Sequence, residues 1–385
     1  MRCSNHSTRI PVFALALLVA FGICVGVLAQ ETPRSPRQRL RRANSAPSTQ
    51  PSSEATPQPS TSNETAPQTQ DDDEVVRVNT DLTNILLTAI DKERRFVTTL
   101  RREDLRLTEN GAAQEISIFQ RETELPLSLA ILIDASESQK GVLSDEKTAA
   151  RTFLESVIRP DKDRAAIVSF TGIPVLEQSL TNDTSRLQQA INRVKIVLPV
   201  EVLENSIKAD SDVSVAQLYE DDAVGYTGVW DAIWGTTNEV LAHTPERTRR
   251  AVILLSDGDD TSSQTKKQEA IDFAVKHNVV VYSIGIRDAE FPDGKLDKDA
   301  LRKVSEKTGG RAFFPRSEME LRAAFTQIQD ELRSQYLIAY SPTNKLRDGS
   351  YRQIRIEVVN PELRKQKLSL LYRQGYYAKR QPAKP

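Results

Sequence analysis

The sequence predicts an α/β protein: a doubly wound, mostly parallel sheet flanked by β-strand segments that form a small β-sandwich. Two patterns carry the prediction. Between residues 126 and 333 the apolar runs "LSLAILID", "RAAIVSF", "AVILLSD" and "VVVYSIGI" alternate with helical stretches. These include "DEKTAARTFLESVI", "TSRLQQAINRV", "VWDAIWGTTNEVLA", "KKQEAIDFAVKH" and "KDALRKVSEKTGG". Strands this apolar have no wet face, so helices must cover both sides of a parallel sheet. Before and after that region the signals are instead short alternating β-runs, as in antiparallel strands.

Taken in chain order, residues 1–29 carry Arg2 and Arg9, then the stretch "IPVFALALLVAFGICVGVLA". That is the pattern of a secretory signal peptide cleaved after Ala29, which would place the protein outside the cell or in the periplasm or envelope. The run is nearly long enough to span a bilayer, so an uncleaved anchor is the alternative. Arg34, Arg37, Arg39, Arg41 and Arg42 follow it, and basic residues there oppose translocation. Bulky Ile23 before Cys24 argues against lipid attachment. Residues 30–74 are dominated by Pro, Ser, Thr and Gln from Ala43 onward and have too little apolar surface to offset their ordering entropy. They read as a disordered linker.

Residues 75–125 form an N-terminal β-segment. In "DLRLTENGAAQEISIFQ" the alternation at Leu105 and Leu107 turns at Asn110-Gly111 and resumes at Ile116 and Ile118, a hairpin signal. Residues 334–378 form its C-terminal counterpart, with "YLIAYSP", "YRQIRIEVV" and "KLSLLYRQGYY", and 379–385 are a tail. Gly309-Gly310 end the last helical stretch as a C-cap should. With strand-like sequence at both ends, the two β-segments are expected to make one sandwich with the α/β domain, residues 126–333, inserted between its halves.

The bulk composition narrows the chemistry. Both cysteines, Cys3 and Cys24, fall in the leader, so the mature chain has no disulfide and no thiolate metal site. His243 and His277 sit late in amphipathic runs and read as helix-end residues, which leaves zinc centres and Ser-His or Cys-His catalysis poorly supplied. A formal net charge of -1 gives no sign of a nucleic-acid partner. Trp230 and Trp234, four apart, read as a helix's core face, and Tyr376 and Tyr377 as closing the β-segment.

Ligands of doubly wound sheets sit beyond the carboxyl ends of the strands. Asp134 ends one apolar run and is followed by Ser136 and Ser138; Asp257 ends another; Thr227 lies in the Gly-flanked loop of "GYTGVWDAIW" just before a helix. Singly, each has a plain reading: helix cap or turn for the serines, turn chemistry for the aspartates. Together they make an oxygen-only set that suits a hard divalent cation, Mg²⁺ or Mn²⁺, with Ca²⁺ as a further candidate, and leaves a coordination position open.

The order Asp-x-Ser-x-Ser at Asp134, Ser136 and Ser138, then Thr227, then Asp257 in "LLSDG", resembles the metal-ion-dependent adhesion site of von Willebrand factor type A domains. The flanking "ISIF", "GGRAFF" and "QYLIAYSP" resemble the secreted bacterial, Acidobacterial-type branch of that family, over roughly residues 75–378. The resemblance implies direct ligation by Ser136, Ser138 and Thr227, largely water-mediated roles for Asp134 and Asp257, and a protein partner whose Asp or Glu completes the shell. It implies a secreted or surface-tethered binding module and no enzyme. Glu137 departs from the pattern, which has glycine between the serines: it either displaces Ser138 or adds charge that strengthens cation binding. Residues 196–224 form a long acidic stretch before the threonine loop, either a cover that sets partner choice or a loop with no role. Two other functions compete. "VILLSDGDDT" also fits an aspartyl-phosphate phosphatase, with Asp257 as nucleophile, Asp259 as acid-base and Thr261 on the phosphate. A structural spacer with an empty metal site is the other.

Overall fold

The computed structural model describes residues 40–42, 82–93, 95–121, 125–197, 226–245, 247–288 and 295–380. The signal segment, most of the linker, nearly all of the acidic stretch and most of the tail lie outside them. The strands are β1 (Arg41–Arg42), β2 (Thr83–Ile90), β3 (Leu105–Glu109), β4 (Ala112–Gln114), β5 (Ile116–Arg121), β6 (Leu127–Asp134), β7 (Arg164–Phe170), β8 (Pro174–Thr181), β9 (Arg249–Leu255), β10 (Val279–Ile284), β11 (Ala312–Phe313), β12 (Tyr336–Tyr340), β13 (Tyr351–Val358), β14 (Ser369–Leu371) and β15 (Gly375–Tyr377). The helices are α1 (Leu143–Val157), α2 (Thr184–Arg193), α3 (Val229–Thr236), α4 (Lys267–Lys276), α5 (Lys298–Thr308), α6 (Glu318–Arg333) and the short α7 (Pro361–Lys365).

The central sheet has the order β1-β8-β7-β6-β9-β10-β11 and is parallel except between β7 and β8. Side-chain alternation along β6 explains its two coats. Leu129, Ile131 and Ile133 face a core shared with α1, α2 and α6, while Ala130 and Leu132 face one shared with α3, α4 and α5. All of β6 is buried, as its largely apolar sequence requires, Ser128 and Asp134 included. His277 is the residue that closes α4, its ring against Phe273, and Trp230 and Trp234 pack with the second core. Gly309 takes a left-handed φ of 95° and ends α5, a conformation that favours glycine.

The two β-segments interleave. One antiparallel sheet has the order β14-β2-β12-β5 and the other β15-β13-β3-β4, so each contains strands from both sides of the α/β domain. Their facing side chains, among them Ile85, Leu87, Leu107, Tyr336, Ile338 and Ile356, share one core. The turn at Asn110-Gly111 has positive φ at both residues, 48° and 84°, as a two-residue hairpin loop requires. Strands β5 and β12, which lead into and out of the α/β domain, pair with each other.

Three features depart from the sequence reading. Leu40–Arg42, assigned to the disordered linker, add an edge strand: Leu40 is buried beside α3, and Arg41 and Arg42 pair with Val175 and Leu176. Strand β8 and helix α6 were not marked. Strand β8 is only half-buried and carries Glu177, Gln178 and Ser179, so it lacks the apolar run that marks its neighbours.

Candidate metal-binding site

The register of the sheet builds the site. Ile133 of β6 lies opposite Leu255 of β9, so Asp134 and the Ser256-Asp257 pair emerge together at the carboxyl edge. From β6 the chain passes through α1 to β7 on one side, whereas β9 lies on the other. The crevice between β6 and β9 is therefore where the connections diverge, and such points are where open α/β sheets hold ligands.

A continuous chain of hydrogen bonds links four of the five residues singled out. Asp134 is fully buried; its Oδ1 accepts the Ser136 N–H at 3.0 Å and its Oδ2 accepts the Ser256 hydroxyl at 2.7 Å. The Ser136 and Ser138 hydroxyls lie 3.1 Å apart, and Ser138 donates to Asp257 Oδ2 at 2.7 Å. The Gln139 amide also donates to Asp257 Oδ2, at 2.9 Å. Neither serine hydroxyl caps a helix; both are spent within the site.

Thr227 is placed differently. Its loop is tied through the backbone: Thr227 N–H donates to the Thr261 hydroxyl at 2.8 Å, and Thr227 O accepts from the N–H groups of Thr261 and Ser262. Gly228 N–H donates to Thr171 O, just beyond β7. The threonine is thus fixed against the segment that follows Asp257, and no hydrogen bond joins its hydroxyl to the other four residues.

Glu137 is accommodated without strain. It opens a 3-10 turn, Glu137–Gln139, closed by Gln139 N–H to Ser136 O at 3.0 Å and Lys140 N–H to Glu137 O at 3.1 Å. Among the described non-glycine residues positive φ occurs at Asn110, Asn278 and Lys367, so glycine's freedom is not needed at 137. Ser138 is not displaced from Asp257.

Asp260 and Ser263 of "SDGDDTSS" brace the start of α3. Asp260 Oδ1 accepts the Val229 N–H at 2.8 Å and, more weakly, the Trp230 N–H at 3.4 Å, capping α3 from a distant loop, since Gly228 has no side chain to do so. The Ser263 hydroxyl accepts from Trp230 and Asp231, and Asp231 in turn accepts the Gln264 and Thr265 N–H groups. Thr261, the phosphate contact of the phosphatase alternative, has its hydroxyl engaged by Thr227. Asp260→Ala should destabilise the protein by about 1–2 kcal/mol in urea denaturation, the usual effect of losing a cap. A change below about 0.3 kcal/mol would show that the cap is not used.

Electrostatically the site gathers buried carboxyl groups with no basic partner among the described residues. Burial, reinforced by the charge of Asp257, pushes the Asp134 carboxyl up to about 7 despite the Ser136 and Ser256 hydrogen bonds. Burial also raises Asp257, against hydrogen bonds from Ser138, Asp259 and Gln139. Sequence reasoning missed three participants: Ser256, Gln139 and Glu146. Glu146 is fully buried in the first turns of α1 and feels both aspartates, so burial and those charges drive its carboxyl well above the usual range. Its position in sequence was a signal, since it falls on the apolar stripe Leu143, Ala150, Phe153, Val157.

These residues fit a hard cation. Both Glu146 oxygens and Gln139 Oε1 are buried acceptors with no hydrogen-bond partner, and no Lys, Arg or His among the described residues pairs with Asp134, Asp257 or Glu146. No three Asp, Glu, His or Cys side chains among the described residues form a metal-holding group by themselves. An ion at this edge would draw on the serine hydroxyls and on water as well as on carboxylate, the oxygen chemistry of Mg²⁺, Mn²⁺ or Ca²⁺.

A doubly wound α/β domain with an acidic, hydroxyl-lined site at its switch point defines the class of protein. Comparison adds that residues 129–259 and, in a second match, residues 205–330 match the von Willebrand factor type A domain. Among solved structures, a von Willebrand factor type A protein from Catenulispora acidiphila is 12% identical, with 80% of this chain and 76% of that one covered at a TM-score of 0.43. The conserved hypothetical protein BatB from Bacteroides thetaiotaomicron is 15% identical, with 53% and 98% covered and a TM-score of 0.39. Proximal thread matrix protein 1 from the mussel byssus, with a zinc-occupied MIDAS motif, is 16% identical, with 58% and 50% covered and a TM-score of 0.44. No curated protein matches the chain. Among the described residues no helix is long and apolar enough to cross a membrane.

Proposed function

We propose that this protein is a secreted or surface-tethered, non-enzymatic binding module whose α/β domain presents a divalent cation to a protein partner. Ser136 and Ser138 would contribute hydroxyls and Asp134 and Asp257 negative charge, with Thr227 reaching in from its loop. The ion would supply a Lewis-acidic point with one position free for the partner's Asp or Glu. The observation that carries this reading is the unbroken link from Asp134 through Ser136 and Ser138 to Asp257, with no basic side chain to neutralise it. The acidic stretch supports a role in partner choice, because it leaves and rejoins the described chain at the rim of the site. Val197 N–H donates to Ala135 O at its start, and Tyr226-Thr227 follow its end.

An ion that binds only the folded state stabilises it by about 2.7 kcal/mol at a hundredfold excess over Kd. Millimolar Mg²⁺ or Mn²⁺ is expected to raise the melting temperature of the wild type and to leave Asp134→Ala unmoved. Equal responses in the two proteins would dismiss the site. Capture of a partner from envelope extract should disappear in chelator and in the same variant.

A further inference from the structure

We propose that Glu146, buried without a partner in α1 shortly after the turn that carries Ser138 and Gln139, is a third, built-in charge of the cation site, so that the domain retains its ion before any partner arrives. The inference rests on the cation-binding reading above and deepens it. Glu146 is one helical turn into α1, which starts directly after the turn that carries Ser138 and Gln139. It occupies an apolar-stripe position, is 0% exposed, and has no hydrogen bond to either carboxylate oxygen. A buried carboxylate without a partner is among the most costly arrangements a core can hold, and a core position is readily filled by Leu or Met at lower cost. The charges nearest in effect are Asp134 and Asp257, both negative, with Asp145 beyond them. Gln139, whose amide points its N–H groups at Asp257 and Ser138, adds another unpartnered acceptor, Oε1.

The unsatisfied atoms of Glu146 and Gln139 are therefore all acceptors, and no basic side chain among the described residues pairs with them. A doubly charged ion with its waters satisfies that surplus. Two aspartates beside the ion and a third carboxylate further off leave the site with excess negative charge, and this has a consequence for recognition. The ion is held more tightly by the domain and attracts an incoming carboxylate less strongly than in a site with two. Glu146 supplies charge at one remove from the ion, since it is not placed to share it directly with both aspartates.

The test measures Mn²⁺ binding to the full chain by the loss of free Mn²⁺ resonance signal, alongside melting in chelator. Glu146→Gln keeps the shape and removes the charge. It should bind Mn²⁺ at least about tenfold more weakly than wild type, because a unit charge near a divalent ion in a buried site is worth more than that factor. In chelator it should melt at or above the wild-type temperature, a result that a purely structural role for Glu146 would not give. Glu146→Met, apolar and of similar length, should show the same loss of affinity and guards against an ill-packed amide. Wild-type affinity in both variants would overturn the inference and leave the cation site standing. Absence of Mn²⁺ binding in the wild type itself would instead remove the site, and the inference with it.

Discussion

Replacing Arg352 by methionine is expected to cost the folded protein about 3–5 kcal/mol, the usual penalty for stranding one half of a buried ion pair. Arg352 and Glu109 lie 3.3 Å apart inside the sandwich, with side chains only 3% and 2% exposed. Glu109 is also held by the hydroxyls of Tyr340, at 2.7 Å, and Tyr376, at 2.8 Å. Burial and the bond to Glu109 raise the Tyr340 phenol far above its ordinary range, so it remains a donor at any working pH. Arg352 additionally donates to the carbonyls of Asn344 and Leu346 and so pins the loop before β13. Urea denaturation of the variant should show a lowered midpoint with an unchanged slope. Adding Glu109→Gln to Arg352→Met should recover a large part of the loss, since the uncompensated charge is then gone. A single variant within 1 kcal/mol of wild type would mean that the phenols alone suffice to hold Glu109.

The second large effect concerns pH. In chelator, stability should fall as pH rises from about 4 to about 7. Asp134 has an ordinary value of 3.8 and is raised to about 7 when folded. Across that window the folded protein keeps a proton that the unfolded chain has released, so added base favours unfolding. The full difference is on the order of 4 kcal/mol, reached above pH 7. Asp257 and Glu146 are shifted in the same direction and add to the trend. Asp163 is lowered by its bonds to Arg159 and to backbone N–H groups despite burial, and its contribution is lost only as pH falls below about 4. Saturating Mg²⁺ should flatten the decline, because the cation favours the ionised carboxylates. Stability in chelator that stays level or climbs between pH 4 and pH 7 would contradict the burial of these carboxylates as a group.

Much of this was legible in the chain. The apolar run from Leu127 to Ile133, interrupted only by Ser128, reads as a strand covered on both faces, and Asp134 and Asp257, each closing such a run, marked the edge where they meet. The hairpin at Asn110-Gly111 was equally plain, since two successive positive φ values demand those residue types. What escaped notice did so for physical reasons. Strand β8 carries a polar, half-wet face and an antiparallel register that the parallel pattern does not lead one to expect. Leu40–Arg42 are too short to show any period and gain their order from the sheet edge they join. The glycine expected at position 137 matters in a backbone with left-handed angles, whereas here a right-handed turn makes room for glutamate. Gln139 and Glu146 are recruited by tertiary placement: one is an amide in a turn, the other a carboxylate where leucine would serve the helix better.

The pairing of β5 with β12 has a mechanical consequence. Arg121 and Tyr336, where the chain enters and leaves the α/β domain, are partners in the ladder. Thr83, where the chain comes in from upstream, lies opposite Tyr340 at the other end of β12. Tension between an anchor upstream of β2 and a load on the α/β domain would therefore pull β2 and β12 past each other lengthwise. Their five aligned residue pairs, Tyr336↔Leu87 to Tyr340↔Thr83, would have to give way at once, not one after another as in peeling. Under such a load the sandwich would act as a shear clamp, resisting force between its two attachments without unzipping.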